Sequence, residues 1–274
     1  MASPNEKELR QTTSSDGTKI GYWVSGQGPP LVLVNGPFGN HTRWEKLVPH
    51  LESKVTVCAM DRRGRGASED AAQWAIEREY EDVAAVVDDV FQFTDQPVNL
   101  YGHSGGGMYA FGAAALTSNI EKLILYEGWP PIREDTIALP SDFLDRMDGL
   151  VDRGKYEELV ELVFLELVGV TEEELETIKQ APSWAHRVDA APTGPRELRA
   201  IVELRFEDEA AAKVDVPTLL LYGDAEDGHP LAREVHLMEA ALPNARSAIL
   251  EGEAHEADIT APEAVASHVL DFIL

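Results

Sequence analysis

Apolar positions along this chain fall into two alternating rhythms. Leu31-Val32-Leu33-Val34, Val55-Thr56-Val57-Cys58-Ala59-Met60, Val98-Asn99-Leu100-Tyr101, Lys122-Leu123-Ile124-Leu125-Tyr126 and Val216-Pro217-Thr218-Leu219-Leu220-Leu221-Tyr222 are short, nearly continuous runs. Such runs fit strands covered on both faces of a sheet. Thr18-Lys19-Ile20-Gly21-Tyr22-Trp23-Val24 alternates instead, as a half-buried strand does, and the Gly and Pro residues from Gly26 to Pro30 end it. Between the runs, Ile76, Tyr80, Val83, Val87, Val90 and Phe91 recur at helical spacing, and Trp44 to Leu51 fits a helix. A helix through Val235-His236-Leu237-Met238, a strand Ser247-Ala248-Ile249-Leu250 and a helix from Glu263 to Leu274 complete the series. Strands alternating with helices predict an α/β fold, a mostly parallel central sheet with helices on both faces.

The rhythm breaks at Trp129-Pro130-Pro131. From there to about Ala212 the chain is acidic and without clear strands, and Leu144 to Val151, Tyr156 to Val168 and Leu198 to Phe206 carry helical spacing. This stretch reads as an inserted helical cap. The expected division is a core of residues 1–128 and 213–274 with a cap of residues 129–212.

Composition narrows the setting. A length of 274 residues with 44% hydrophobic content suits one large α/β core with an insertion. The single cysteine, Cys58, excludes an internal disulfide and lies in an apolar strand, where a buried inert thiol is expected. No apolar run has the length of a membrane span, and the first residues lack the apolar core of a secretion signal. The expectation is a cytoplasmic protein. A formal charge of −26 disfavours nucleic acid and anionic membranes as partners, because the electrostatic term has the wrong sign. The acidic residues are dispersed, as on a solvated surface. They fit either an ordinary acidic protein or a salt-adapted one whose self-repulsion is screened.

The chemistry concentrates at Gly102-His103-Ser104-Gly105-Gly106. It reads G-x-S-x-G, with a strand-forming run before it and a small, apolar, helix-forming run after it. A strand, a Gly-flanked Ser and a helix make a nucleophile elbow. Small neighbours let the backbone turn sharply, and the helix N-terminus offers N–H groups and partial positive charge where an oxyanion would form.

Three motifs in this order resemble the α/β-hydrolase superfamily over nearly the full length. They are the elbow, the turn Asp61-Arg62-Arg63-Gly64-Arg65-Gly66-Ala67-Ser68, and Gly252-Glu253-Ala254-His255 after the last strand. Small cofactor-independent serine hydrolases with a helical cap are the most similar branch. The resemblance implies Ser104 as nucleophile, His255 as its base and a carboxylate that orients the His. Glu127, at the end of the strand after the elbow helix, is the favoured acid. Asp227 and Glu226, in the loop after Tyr222, are the alternatives; Glu226 holds the usual register and Asp227 falls one residue late.

The oxyanion hole implied by the resemblance takes one N–H from Gly105 and a second from the loop after Val34. Here the chain departs from the pattern. Asn35 stands where relatives carry His, and Pro37, which has no N–H, follows Gly36, so Phe38 supplies the next amide. Either Phe38 donates or the hole is incomplete. Asn35 and Trp129 are expected at the substrate pocket. The aromatic residues Trp129, Phe143, Phe164, Trp184 and Phe206 fit either a pocket lining or the core of the cap.

No Cys pair or His pair at ligand spacing is present, so no metal or other cofactor is expected. The function implied is a carboxylesterase- or lactonase-like serine hydrolase that cleaves a small or medium acyl substrate through an acyl-enzyme. Its partner is that small molecule, and a homo-oligomer is compatible with the sequence. A carbon–carbon bond hydrolase or perhydrolase on the same residues remains an alternative. So does a ligand receptor that keeps the pocket without turnover.

Overall fold

In the computed structural model, residues 7–133, 137, 139–225 and 230–274 are described. Eight strands form one sheet: β1 (Glu8–Thr13), β2 (Lys19–Gly26), β3 (Pro30–Val34), β4 (Thr56–Met60), β5 (Val98–His103), β6 (Ile120–Tyr126), β7 (Thr218–Gly223) and β8 (Ala245–Leu250). Their order is β1-β2-β4-β3-β5-β6-β7-β8. β1 and β2 pair antiparallel, as do β2 and β4, and every pairing from β4 through β8 is parallel. The mostly parallel sheet expected from the apolar runs is therefore present.

Alternation within those runs covers both faces. Leu31 and Leu33 of β3 join one buried cluster, while Val32 and Val34 join the other. Successive strand side chains point to opposite faces, so a strand that is apolar throughout needs cover on each. Helices α1 (Val48–Leu51), α2 (Ile76–Thr94) and α3 (Gly105–Ala114) lie between the early strands. Between β6 and β7 come α4 (Phe143–Asp152), α5 (Tyr156–Val163), α6 (Glu172–Lys179), α7 (Ser183–Asp189), α8 (Gly194–Glu203) and α9 (Asp208–Ala211). The chain ends with α10 (Val235–Ala241), α11 (Ala257–Thr260) and α12 (Pro262–Ile273). No helix among the described residues is long and apolar enough to cross a membrane.

Three elements differ from the sequence expectation. The helix expected from Trp44 to Leu51 is a 3₁₀ turn, His41–Glu45, followed by the short α1. Pro49 has no N–H and sits in the first turn of α1, so one continuous helix is excluded. The helix expected from Tyr156 to Val168 ends as α at Val163 and widens into a π-turn at Phe164–Val168, which Gly169 closes at φ 82°. The third expected helix of this region begins at Gly194 and ends at Glu203 rather than Phe206.

A buried ion network joins this helical insertion to the sheet. Arg62, in the turn after β4, pairs with Glu79 of α2 at 2.9 Å and Glu197 of α8 at 2.5 Å. Arg65 also pairs with Glu197. Arg62 further donates to the Gly36 carbonyl at 3.0 Å, so the same guanidinium braces the loop after β3. Burial opposes ionisation of Glu197, but Arg62 and Arg65 outweigh it and bring the carboxyl down to about 2.

Candidate active site

The C-terminal ends of β3, β5, β6 and β8 deliver the chemistry to one place, which is where open parallel sheets carry their sites. Ser104 follows β5 at φ 56° and ψ −134°, half-buried, and α3 begins at the next residue. The turn demands glycines. A Cβ on Gly102 would lie 2.5 Å from Gly107 Cα, and one on Gly106 would lie 2.3 Å from the Val34 carbonyl oxygen. The elbow is thus wedged between α3 and the end of β3, closer than any side chain allows.

Glu127 follows β6 and is fully buried. Its Oε1 accepts from the Gly223 amide at 2.9 Å, and its Oε2 lies 2.7 Å from His255 Nδ1. The loop carrying His255 is tied from beneath. His103 Nε2 lies 2.7 Å from the His255 carbonyl oxygen, which can only accept, so this nitrogen carries the proton. Tyr126 donates its hydroxyl to the Ala254 carbonyl. His103, the neighbour of the nucleophile in sequence, therefore braces the loop that holds His255.

Backbone strain marks the same residues. Among the described residues, the non-glycine positions with positive φ are Phe38 at 61°, Asp95 at 55°, Ser104 at 56° and Glu127 at 42°. Asp95 ends α2, a common place for this conformation. The other three are the expected oxyanion donor, nucleophile and acid. Each such residue costs about 1–3 kcal/mol, and the cost persists where the surroundings over-determine the geometry. Phe38 is buried, and its amide donates to no backbone carbonyl among the described residues.

Ser104, Gly105, Pro37, Phe38 and His255 line one narrow cavity of about 60 Å³. Apolar residues of the insertion, Val163, Phe164, Leu198 and Ile201, close over it. Of the aromatic residues singled out in the sequence, Phe164 lines this cavity; Trp129 and Phe143 are fully buried in the core. Asn35 and Trp129, expected at the pocket, are not among its lining. Asn35 is fully buried and donates its side-chain amide to the Met60 carbonyl at 3.0 Å, bracing the loop against β4. Glu226 and Asp227 lie outside the described residues.

Three charged residues that sequence reasoning missed, Arg43, Arg187 and Glu256, also line the cavity. Arg43 donates to Glu256 at 3.0 Å and to Asp258 at 2.6 Å. Burial opposes the charge on Arg43, yet Asp258 and Glu256 raise the guanidinium above its ordinary value. Burial also works against Glu256, but Arg43 and Arg187 hold its carboxyl below the usual range. Burial raises Asp258 to about 6, with Arg43 offsetting only part of the effect. Separations of 213 and 69 residues hide these pairs from any local motif.

The ring nitrogens of His103 and His255 and a carboxylate oxygen of Glu256 come within 4.8 Å of one another. They make a poor cation site. Glu256 already answers two guanidiniums, and His255 Nδ1 and His103 Nε2 are committed to Glu127 and a carbonyl.

The "Alpha/beta hydrolase family" model matches residues 31–268. A non-heme haloperoxidase from Rhodococcus erythropolis is 26% identical, with 95% of this chain and 98% of that protein covered. A pimeloyl-[acyl-carrier protein] methyl ester esterase from Aeromonas hydrophila is 26% identical over 87% of this chain and 92% of its own length. Among solved structures, an alpha/beta hydrolase from Sphaerobacter thermophilus superposes with a TM-score of 0.83 at 31% identity, covering 97% of this chain and 100% of that one. With a family model spanning most of its length and the elbow at the end of its central strand, the chain belongs to the alpha/beta hydrolase family.

Proposed function

We propose that this hydrolase is a serine esterase or lactonase that works through an acyl-enzyme on Ser104. The observation that carries the reading is the 2.7 Å contact of Glu127 with His255, a residue that lines the same cavity as Ser104. Glu127 fixes the tautomer with the proton on Nδ1, so Nε2 is the nitrogen that takes the Ser104 proton as the hydroxyl attacks an acyl carbon. The same nitrogen returns that proton to the leaving alcohol. Water then attacks the acyl-enzyme with its proton going to His255, and Ser104 is released. The developing oxyanion is received by the Gly105 amide at the head of α3 and by the Phe38 amide, which Pro37 makes the first donor after Gly36. In this reading the positive φ of Phe38 is the adjustment that brings an amide to bear despite Pro37.

The insertion between β6 and β7 acts as the cap. Its apolar residues exclude water from the cavity. Relatives named as esterases and an enol-lactonase from Burkholderia xenovorans, the last 22% identical with a TM-score of 0.77, are in keeping with acyl chemistry on this fold.

The test is hydrolysis of short p-nitrophenyl esters by wild type and Ser104→Ala. Wild type is expected to turn over and Ser104→Ala to fall to the uncatalysed background with its fold intact by circular dichroism. Wild-type rates in Ser104→Ala would remove the assignment. A well-folded wild type that neither hydrolyses esters nor reacts at Ser104 favours the receptor reading instead.

A further inference from the structure

The cavity beside Ser104 is walled by apolar side chains and by a charged group in which Arg187 of α7 meets Glu256. Arg187 is 3% exposed, and its Cζ lies 4.9 Å from the Phe164 ring centroid. Its Nη2 donates to Glu256 Oε2 at 3.3 Å, the same oxygen that Arg43 Nη1 reaches at 3.0 Å. Arg43 has Asp258 besides, whereas the one carboxylate that Arg187 reaches among the described residues is Glu256, through the longer half of a shared oxygen. Its Nε has no hydrogen-bond partner among the described residues. Buried polar groups are almost always satisfied, and an unanswered guanidinium N–H in an apolar wall is costly.

Burial brings the Arg187 guanidinium down to about 10 against the pull of Glu256, as expected of a cation with too little compensation. The cluster of Arg43, Arg187, Glu256 and Asp258 is formally neutral, so an incoming anion does not meet a wall of like charge. A carboxylate supplies two oxygens in one plane, the partner that a guanidinium fork accepts best.

We propose that Arg187 is the recognition subsite for a free carboxylate on the substrate, so that the preferred substrates are monoesters or lactones of dicarboxylic acids. This rests on the reading of Ser104 as nucleophile. Ser104 and Arg187 line the same cavity, so a carboxylate held by Arg187 belongs to the molecule whose acyl carbon Ser104 attacks. The recognised group lies within the cavity, so the subsite selects the substrate and orients it before attack.

The experiment compares monomethyl adipate with methyl heptanoate, scored by methanol release, for wild type, Arg187→Met and Arg187→Lys. Wild type is expected to favour the anionic ester in kcat/KM by at least about tenfold, in line with a charge-assisted bidentate contact. In Arg187→Met that ratio collapses toward one, and Arg187→Lys, which keeps the charge and loses the fork, falls between. Equal rates in wild type, or a preference that survives in Arg187→Met, overturns the proposal. If Arg187→Met does not fold, Arg187→Lys and competition by adipate against methyl heptanoate in wild type decide, and no competition overturns it. If Ser104 is unreactive and neither ester turns over, the hydrolase reading has failed by itself. Calorimetric binding of adipate to wild type and Arg187→Met then decides the subsite, and absence of saturable binding to wild type overturns it.

Discussion

Replacing Glu127 by Gln keeps the volume of a fully buried side chain and removes one acceptor and the charge. Both carboxylate oxygens are in use, Oε1 accepting from the Gly223 amide at 2.9 Å and Oε2 facing His255 Nδ1 at 2.7 Å. A Gln has one acceptor and one donor for the same two neighbours. If its oxygen stays with Gly223, its NH₂ faces His255 and forces Nδ1 to accept, which puts the proton on Nε2, where the Ser104 proton must go. If its oxygen turns to His255, its NH₂ is pressed against the Gly223 N–H. Either orientation loses the negative charge that stabilises the imidazolium. The amide replacement of an orienting Asp in the serine-protease triad costs about 10⁴ in kcat. At ~1.36 kcal/mol per tenfold, that is roughly 5 kcal/mol of transition-state stabilisation. We expect Glu127→Gln to lower kcat at least about a hundredfold, roughly 2.7 kcal/mol by the same relation. The mismatched amide is expected to lower stability by about 1–3 kcal/mol, so rates are to be measured well below the melting temperature. Asp227→Asn and Glu226→Gln, assayed beside it on a p-nitrophenyl ester, should cost far less. A Glu127→Gln enzyme within tenfold of wild type, with Asp227→Asn collapsed, would refute the reasoning.

Two further outcomes follow from charge. The melting temperature should rise steadily with KCl as a formal charge of −26 is screened, and a flat curve from dilute buffer to molar salt contradicts a salt-adapted surface. Glu197 contributes stability in full above its ordinary value of 4.5 and loses it as pH falls toward about 2, because its folded-state carboxyl is the lower one. The gap in melting temperature between wild type and Glu197→Gln should therefore narrow from pH 7 to pH 3, and a constant gap contradicts the ion-network account.

What the sequence discloses is what repeats locally or sits beside a motif. The doubly covered strands are legible because β3, β5 and β6 must be apolar at consecutive positions. The elbow is legible because only glycines fit between α3 and β3. Glu127 could be chosen because it ends the strand after the elbow helix. β1 was not legible: Glu8–Thr13 is a polar edge strand paired on one side alone, so no apolar run marks it. α6 escaped for a related reason, being charged along most of its length and held by a capping box between Thr171 and Glu174. The placing of Asn35 failed because a buried amide beside the nucleophile can face the substrate or the neighbouring strand, and the Met60 carbonyl is the partner it takes. Arg43, Arg187 and Glu256 were beyond reach, since only the folded chain brings the 3₁₀ turn, α7 and the His255 loop together.

The central claim is that Ser104 is a nucleophile activated by His255. The most direct measurement is intact-mass analysis after incubation with a fluorophosphonate, followed by peptide mapping. The account predicts one covalent adduct on Ser104 in wild type, slowed strongly in His255→Ala and absent in Ser104→Ala. An unlabelled wild type, or an adduct that persists in Ser104→Ala, would contradict it.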